Sequence, residues 1–113
     1  MPSLLIINYT LLIINYTLLI MLLEIVSPES KLFQGEVTSV FLPGVAGSFQ
    51  VLNHHAPIVS TLKEGVIKIG ATSFKFDKEV AEKFTKVNEQ LYSLKIASGT
   101  IEMKDNKVIV LVD

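Results

Sequence analysis

A chain of 113 residues, half of them hydrophobic, is long enough for one packed domain and too short for two, and this composition excludes intrinsic disorder for the chain as a whole. Ten Lys and no Arg stand against eleven Asp and Glu, and the resulting net charge of -1 argues against nucleic-acid binding, which relies on a basic patch and on Arg. The absence of Cys excludes a disulfide framework, a thiol nucleophile and a Cys-ligated metal site.

The first charged residue is Glu24, and the segment before it is an apolar tandem repeat. The heptapeptide Leu-Leu-Ile-Ile-Asn-Tyr-Thr occupies residues 4–10 and again residues 11–17. The whole apolar run, residues 4–23, has about the length of a membrane-spanning helix. Three interpretations are therefore weighed: a secretory signal, a membrane anchor, and a repeat produced by slippage at the nucleotide level.

The flanks of the repeat separate these interpretations. No Lys or Arg precedes the run, and it continues to Glu24 without a small residue suitable for cleavage, which disfavours a secretory signal. A membrane anchor would bury Asn8 and Asn15 at a cost and would lack a basic residue before the span. We therefore favour slippage: residues 1–20 are expected to lie outside the fold, residues 21–113 are expected to form the domain, and Met21 is the expected natural start.

The sequence that follows is typical of a small β protein. Short alternating segments predict strands, and turns rich in Gly, Pro and Asn separate them at intervals of roughly ten residues. The predicted strands are Leu22–Val26, Glu36–Leu42, Ser48–Leu52, Ile58–Leu62, Val66–Ile69, Tyr92–Ala97, Thr100–Met103 and Lys107–Val112. In the second of these strands, alternation places Val37 on the face opposite Val40 and Leu42. The series predicts an all-β sandwich or barrel.

One segment lacks the alternation of a strand. Between Val80 and Leu91 the apolar residues are spaced by four, three and four positions, which is the periodicity of an amphipathic helix. We therefore predict a short helix from about Lys78 to about Lys86. Residues 85–88 would equally suit one strand of a hairpin.

The search for catalytic and ligand-binding motifs is negative. The spacing of the six Gly fits neither a phosphate-binding loop nor a dinucleotide fingerprint, and no carboxylate pair can be assigned to acid–base chemistry. The segment 44–48 lacks the Gly-x-Ser-x-Gly pattern of a nucleophile loop. His54 and His55 are adjacent, so on an extended chain they point to opposite sides, and no second cluster of ligands supports them. We expect no catalytic residue, no metal and no cofactor.

A series of motifs in a fixed order carries a family resemblance. The motifs are Leu23–Glu29, Leu32–Val37, Leu42–Phe49, His55–Pro57, Gly65–Ile69, Ser98–Met103 and Asn106–Leu111. Together they resemble the epsilon subunit of F-type ATP synthases over essentially all of residues 21–113. Any one of these motifs alone would be weak evidence for the family, whereas the whole set in this order is specific.

The resemblance implies a two-sheet β-sandwich of short, mostly antiparallel strands and a subunit that is not an enzyme. Such a subunit belongs to the rotor in the central stalk, where it couples rotation of the membrane c-ring to the gamma shaft for ATP synthesis. Its implied partners are the gamma subunit and the c-ring. The implied location is peripheral, on the cytoplasmic face of the cell membrane, through the complex.

The resemblance also implies two contact segments. Pro43, Gly44, Val45, Ala46, Gly47 and Ser48 match the family's ring-facing loop, and His55, Ala56 and Pro57 match a turn beside the stalk and ring contacts. Many family members carry an acidic residue where this chain has Ser48. Backbone donors and the Ser48 hydroxyl would therefore replace a charged contact with the ring.

Two features depart from the family pattern. The chain ends at Asp113, directly after the last predicted strand, so we expect no inhibition of ATP hydrolysis by the C-terminal helical hairpin that the family commonly carries. The stretch Gly70–Gln90 is longer than the usual hairpin between its flanking strands.

Two other classes of function stay open at this stage. A membrane-anchored β-sandwich binding module would make residues 4–23 the functional feature. A small jelly-roll enzyme would need a pocket that joins His54 or His55 to a carboxylate.

Overall fold

The computed structural model describes residues 20–113, which form ten strands and a single-turn helix. The strands are β1 (Met21–Val26), β2 (Lys31–Val37), β3 (Ser39–Gly44), β4 (Gly47–Leu52), β5 (Ile58–Leu62), β6 (Gly65–Gly70), β7 (Phe84–Asn88), β8 (Leu91–Ile96), β9 (Gly99–Lys104) and β10 (Lys107–Val112), and the helix is α1 (Lys78–Ala81). The three interpretations of the tandem repeat fall on residues 1–19, outside the described part of the chain.

The end of the apolar run is part of the folded domain. Residues 21–23, which close the run, lie in β1, and Met21 and Leu23 are buried in the core. Across residues 20–113, none of the helical structure has the length and apolar character that a bilayer crossing requires.

The strands form one hydrogen-bonded sheet that curls into two facing halves. Its order is β2-β1-β10-β9-β5-β3-β6-β8-β7, with β4 paired to β3 alone. Strands β1 and β10 are parallel, and every other pair is antiparallel. Along β3, residues 39–41 pair with β6 and Gly44 pairs with β5. We call β2, β1, β10, β9 and β5 the first half, and β4, β3, β6, β8 and β7 the second half.

The core lies between the two halves. Apolar side chains from both halves fill it, among them Ile25 of β1 and Val110 of β10 in the first half, and Ile67 and Ile69 of β6 in the second half. Burial of each such side chain contributes roughly 1.5–3 kcal/mol. No polar or charged side chain is buried among the described residues. The prediction of a mostly antiparallel β-sandwich is confirmed, with its two layers joined as halves of one curled sheet.

The prediction of a single strand over Glu36–Leu42 is wrong in one respect. The strand is interrupted at Thr38, which separates β2 from β3. The backbone N–H and the hydroxyl of Thr38 both donate to the carbonyl oxygen of Gly70, at 2.7 and 3.1 Å. The chain passes from the first half to the second at this point. Val37 and Val40 are therefore both fully buried, although alternation along one strand would separate them. The first part of β2, which lies between the predicted strands Leu22–Val26 and Glu36–Leu42, is also extended.

The predicted helix over residues 78–86 is too long. Only Lys78–Ala81 is helical, and Phe84–Asn88 is strand β7, which pairs with β8. The pairing supplies backbone hydrogen bonds for this segment, and β-branched residues at two of its five positions favour a strand. The hairpin alternative for residues 85–88 is thus the one that the structure adopts.

Five aromatic rings close the seam between the two edge strands β2 and β7. We call them the aromatic cluster: Phe33, Phe74, Phe76, Phe84 and Tyr92. The ring centroids of Phe76 and Phe84 are 4.4 Å apart, and those of Phe33 and Phe76 are 5.8 Å apart. Two of the five rings come from the segment between β6 and α1. The long stretch that departs from the family pattern therefore packs over the seam.

Candidate interaction surfaces

The loop Pro43–Ser48 is a tight connection between β3 and β4. Gly44 pairs with Gly47 in the strand ladder, so only Val45 and Ala46 form the turn itself. Pro43 and Gly44 are buried, whereas the four residues that follow are exposed, Val45 to 58%.

Backbone hydrogen bonds fix this loop to β5 and to the residue after it. The Val45 N–H donates to the carbonyl oxygen of Thr61 at 3.1 Å, and the Lys63 N–H donates to that of Pro43 at 2.8 Å. The exposed part, residues 45–48, is therefore a small, firmly held projection.

We expect Gly47→Ala to lower the free energy of unfolding by about 1–3 kcal/mol, because Gly47 has a φ of 131°, which L-residues rarely adopt. An added Cβ would meet no atom within 4 Å, so steric overlap with other residues would not contribute. Urea denaturation of the full chain measures the change. Ser48→Ala, at the exposed neighbouring position, is the control, with an expected change of about 0.5 kcal/mol or less. Equal effects of the two substitutions would contradict the prediction.

The turn His55–Pro57 connects β4 to β5 and is exposed throughout. The His55 N–H donates to the carbonyl oxygen of Leu52 at 3.2 Å, and its Nδ1 lies 2.6 Å from the carbonyl oxygen of Ala56. His54, just before the turn, has a φ of 61°. The His55 ring is thus held against its own backbone, as in a structural turn.

The two segments predicted as contact sites do not come together. The loop Pro43–Ser48 lies at one end of β4 and the turn His55–Pro57 at the other, and a six-residue strand spans roughly 20 Å. Within residues 20–113, no three His, Asp or Glu side chains are grouped so that they could hold a metal ion. Any partner that contacts the loop therefore meets a different end of the domain from one that contacts the turn.

The sequence analysis missed an apolar surface on the first half. Residues of β1, β5 and β10 that point away from the core form what we call the outer face: Leu22, Val26, Val59, Ile109 and Leu111. Val59 is 78% exposed and Leu111 is 53% exposed, and Leu111 lies directly beside Val26 in the ladder. Large exposed apolar side chains that are neighbours on one face mark an interaction site.

The signal for this surface is present in the sequence. From Val108 to Val112 every residue is apolar, so β10 has no polar side and offers apolar residues to both faces of the sheet. A half-buried strand with one solvated face would alternate instead. Continuous apolar composition in a strand at the middle of a half-sheet therefore predicts a second covered face.

Charged and polar residues are interspersed with the apolar residues of the outer face. Glu24 stands between Leu22 and Val26 on β1, and Glu102 of β9 lies between Ile109 and Val59. Glu24 lies beside Ile109, and Lys107 lies beside Leu22. The ion pair found among residues 20–113 is elsewhere, between Lys86 and Glu89 in the β7–β8 hairpin, where their hydrogen bond raises the pKa of Lys86 and lowers the pKa of Glu89. A mixture of apolar and charged residues is the usual composition of the interface between proteins that associate as separate subunits.

An open hollow joins the turn at the end of β4 to the outer face. It is lined by Pro57, Ile58, Val59, Glu102, Met103 and Lys104. The hollow thus places Pro57 of the turn beside Val59 of the outer face, whereas the loop Pro43–Ser48 projects from the opposite end of β4.

Comparison with known proteins gives a consistent result. The sequence pattern of the family described as ATP synthase, Delta/Epsilon chain, beta-sandwich domain matches residues 20–113. The ATP synthase epsilon chain of Leptospira borgpetersenii serovar Hardjo-bovis is 37% identical over 89 residues, which cover 79% of this chain and 58% of that protein. The epsilon chain of Chlorobium limicola is 34% identical over 91 residues, which cover 80% and 86% of the two chains.

A solved structure resembles the fold. A chain in the central stalk and c-ring of the mitochondrial ATP synthase of Tetrahymena thermophila aligns with a TM-score of 0.55 at 17% identity, over 81% of this chain and 62% of that chain. The protein spans little more than half the length of its Leptospira relative, and most of the length of its Chlorobium relative.

Proposed function

We propose, since this chain belongs to the family of ATP synthase delta/epsilon β-sandwich domains, that it is a non-catalytic rotor subunit of an F-type ATP synthase. In this role it sits in the central stalk and couples rotation of the c-ring to the gamma shaft. Torque transmission needs no reacting group. It needs a rigid body with two separate contact surfaces, each held by many backbone hydrogen bonds.

The observation that carries the proposal is the apolar outer face of the first half. Leu22, Ile109 and Leu111 lie on adjacent strands, and Val59, which is separated from β10 by Glu102 of β9, lies near the turn His55–Pro57. A stable interface buries about 800 Å² on each partner around an apolar centre. We assign the gamma subunit to this surface, because a shaft partner requires a broad contact and Leu22, Val59 and Leu111 are large apolar side chains exposed on it.

The c-ring is assigned to the other end of β4. There the exposed residues of the loop Pro43–Ser48 offer backbone groups and the Ser48 hydroxyl to polar loops of the ring. The hydrogen bonds from Val45 to Thr61 and from Lys63 to Pro43 connect this loop to β5, which also carries Val59 of the outer face. A load applied at the loop would thus pass through β5 to the gamma surface.

This assignment gives the protein a peripheral position. The domain is carried on the cytoplasmic face of the cell membrane by its contacts with the ring, and residues 21–113 supply the interactions. The proposal assigns no role to the tandem repeat.

The proposal is tested by omitting the subunit from the assembled ATP synthase. We expect ATP synthesis driven by an ion gradient to be lost, while the separated catalytic heads continue to hydrolyse ATP. The full chain should also bind purified gamma and purified c-ring in a pull-down. Unchanged coupling without the subunit would overturn the proposal. Carbonate-resistant retention of the chain in membranes that lack gamma and ring would favour the anchored module instead.

A further inference from the structure

Asn106 connects three segments of the domain that are far apart in sequence. It lies in the two-residue turn between β9 and β10, where Asp105 and Asn106 have φ values of 53° and 61°. Both residues of a type I′ hairpin turn have positive φ, and Asn tolerates this conformation well. The backbone conformation of the turn would therefore explain by itself why Asn occupies position 106. The side chain of Asn106 also makes hydrogen bonds to other segments.

The oxygen and the nitrogen of the Asn106 side-chain amide both form hydrogen bonds. Its Oδ1 accepts a hydrogen bond of 2.8 Å from the His54 N–H, and its Nδ2 donates one of 2.9 Å to the carbonyl oxygen of Ile20. The backbone carbonyl of Asn106 also accepts from the Leu22 N–H at 3.1 Å. The half-buried Asn106 thus ties the start of β1 and the end of β4 to the β9–β10 turn.

The contact with His54 holds a strained part of the backbone. His54 has a φ of 61°, a conformation that costs a non-glycine residue energy unless its surroundings enforce it. The Asn106 side chain, 52 positions further along the chain, is the partner that fixes the His54 N–H. The direction of the chain into the turn His55–Pro57 depends on that residue.

We propose that Asn106 is a positioning residue, which holds the turn His55–Pro57 in the conformation that contacts the stalk. The contact of the turn with gamma rests on the proposed function, whereas the hold on the turn itself does not. Asn106 acts through His54 and does not need to touch the partner.

The test compares three variants of the full chain. Asn106→Gly keeps the left-handed turn and removes both side-chain hydrogen bonds. Asn106→Asp keeps an acceptor for the His54 N–H and removes the donor to Ile20. Asp105→Gly is the matched control, because it alters the neighbouring positive-φ residue of the same turn.

Amide hydrogen exchange at His54, urea denaturation and affinity for purified gamma are measured for each variant. In Asn106→Gly we expect exchange at His54 to accelerate about tenfold and gamma affinity to fall about tenfold, since one hydrogen bond is worth about that factor. Asn106→Asp and Asp105→Gly should leave His54 exchange near the wild-type rate. In Asn106→Gly, the acceleration of exchange at the His54 amide should exceed the average acceleration of the amides in the core strands.

Two results would overturn the proposal. One is unchanged His54 exchange in Asn106→Gly, and the other is an equal acceleration of all amides, which would mean only a global loss of stability. If the wild type fails to bind gamma, the proposed function is refuted, and the exchange measurement still decides whether Asn106 holds the turn.

Discussion

Phe33→Ala is expected to lower the free energy of unfolding by about 3–5 kcal/mol, which is a large part of the roughly 5–15 kcal/mol that stabilises a typical domain. Phe33 is buried and is the β2 member of the aromatic cluster. Its ring centroid lies 6.4 Å from Phe74, 5.8 Å from Phe76 and 6.3 Å from Phe84. Removal of the ring would leave a cavity at the seam between the edge strands of the two halves. Urea denaturation of the full chain, followed by circular dichroism, measures the loss.

A matched substitution separates the cluster from the general effect of losing a phenylalanine. Phe41→Ala removes a half-buried ring from the outward side of β3, where Lys68 Nζ lies 5.6 Å from the ring centroid. Its expected cost is about 1–2 kcal/mol. Phe33→Leu keeps most of the volume and should recover part of the loss. If Phe33→Ala and Phe41→Ala cost the same, the aromatic cluster does not hold the seam.

The strands could be predicted because their signals are local. Alternation and turn residues place seven of the strands within one residue of their observed bounds. The break at Thr38 was not predictable in this way. Its cause is a pair of hydrogen bonds to Gly70, 32 positions away, and no periodicity within residues 36–42 reports that partner.

The segment 78–88 was ambiguous for a different reason. Val80 and Phe84 are both buried, at a spacing that fits a helix. In the structure, Val80 is buried as part of α1 and Phe84 is buried as part of β7. Two apolar residues at helical spacing therefore belong to two different elements. The choice depends on pairing with β8 and on rings from other parts of the chain, which a window of the sequence does not contain.

The candidate surfaces were likewise only partly predictable from the sequence. The loop Pro43–Ser48 and the turn His55–Pro57 were identified from motifs, and the outer face could have been found from the apolar run Val108–Val112. The spatial relation of these segments was not available from the sequence. The bond between Asn106 and His54 likewise depends on the tertiary fold, because it joins two turns that only the sheet order brings together.

The second large effect is expected at the outer face. Leu111→Glu should weaken binding of the full chain to purified gamma by roughly 30-fold or more, because a buried apolar residue at the centre of an interface is worth about 2 kcal/mol or more. Leu111 lies beside Val26 on β1 and Thr100 on β9, near the middle of the first half. The substitution would place a charge there that gamma must desolvate. Equilibrium binding measured by calorimetry or surface immobilisation gives the change.

The control is an equally exposed leucine on the other half of the sheet. Leu111 is 53% exposed and Leu52, on β4, is 48% exposed, so Leu52→Glu makes the same chemical change at similar solvent access. Both variants should unfold at nearly the wild-type urea concentration, since neither side chain is in the core. We expect Leu52→Glu to bind gamma within about twofold of the wild type. Equal losses in the two variants would show that gamma does not distinguish the halves, and a loss confined to Leu52→Glu would move the shaft contact to the second half. Only a loss confined to Leu111→Glu agrees with torque passing from the ring loop, through β5, to the outer face.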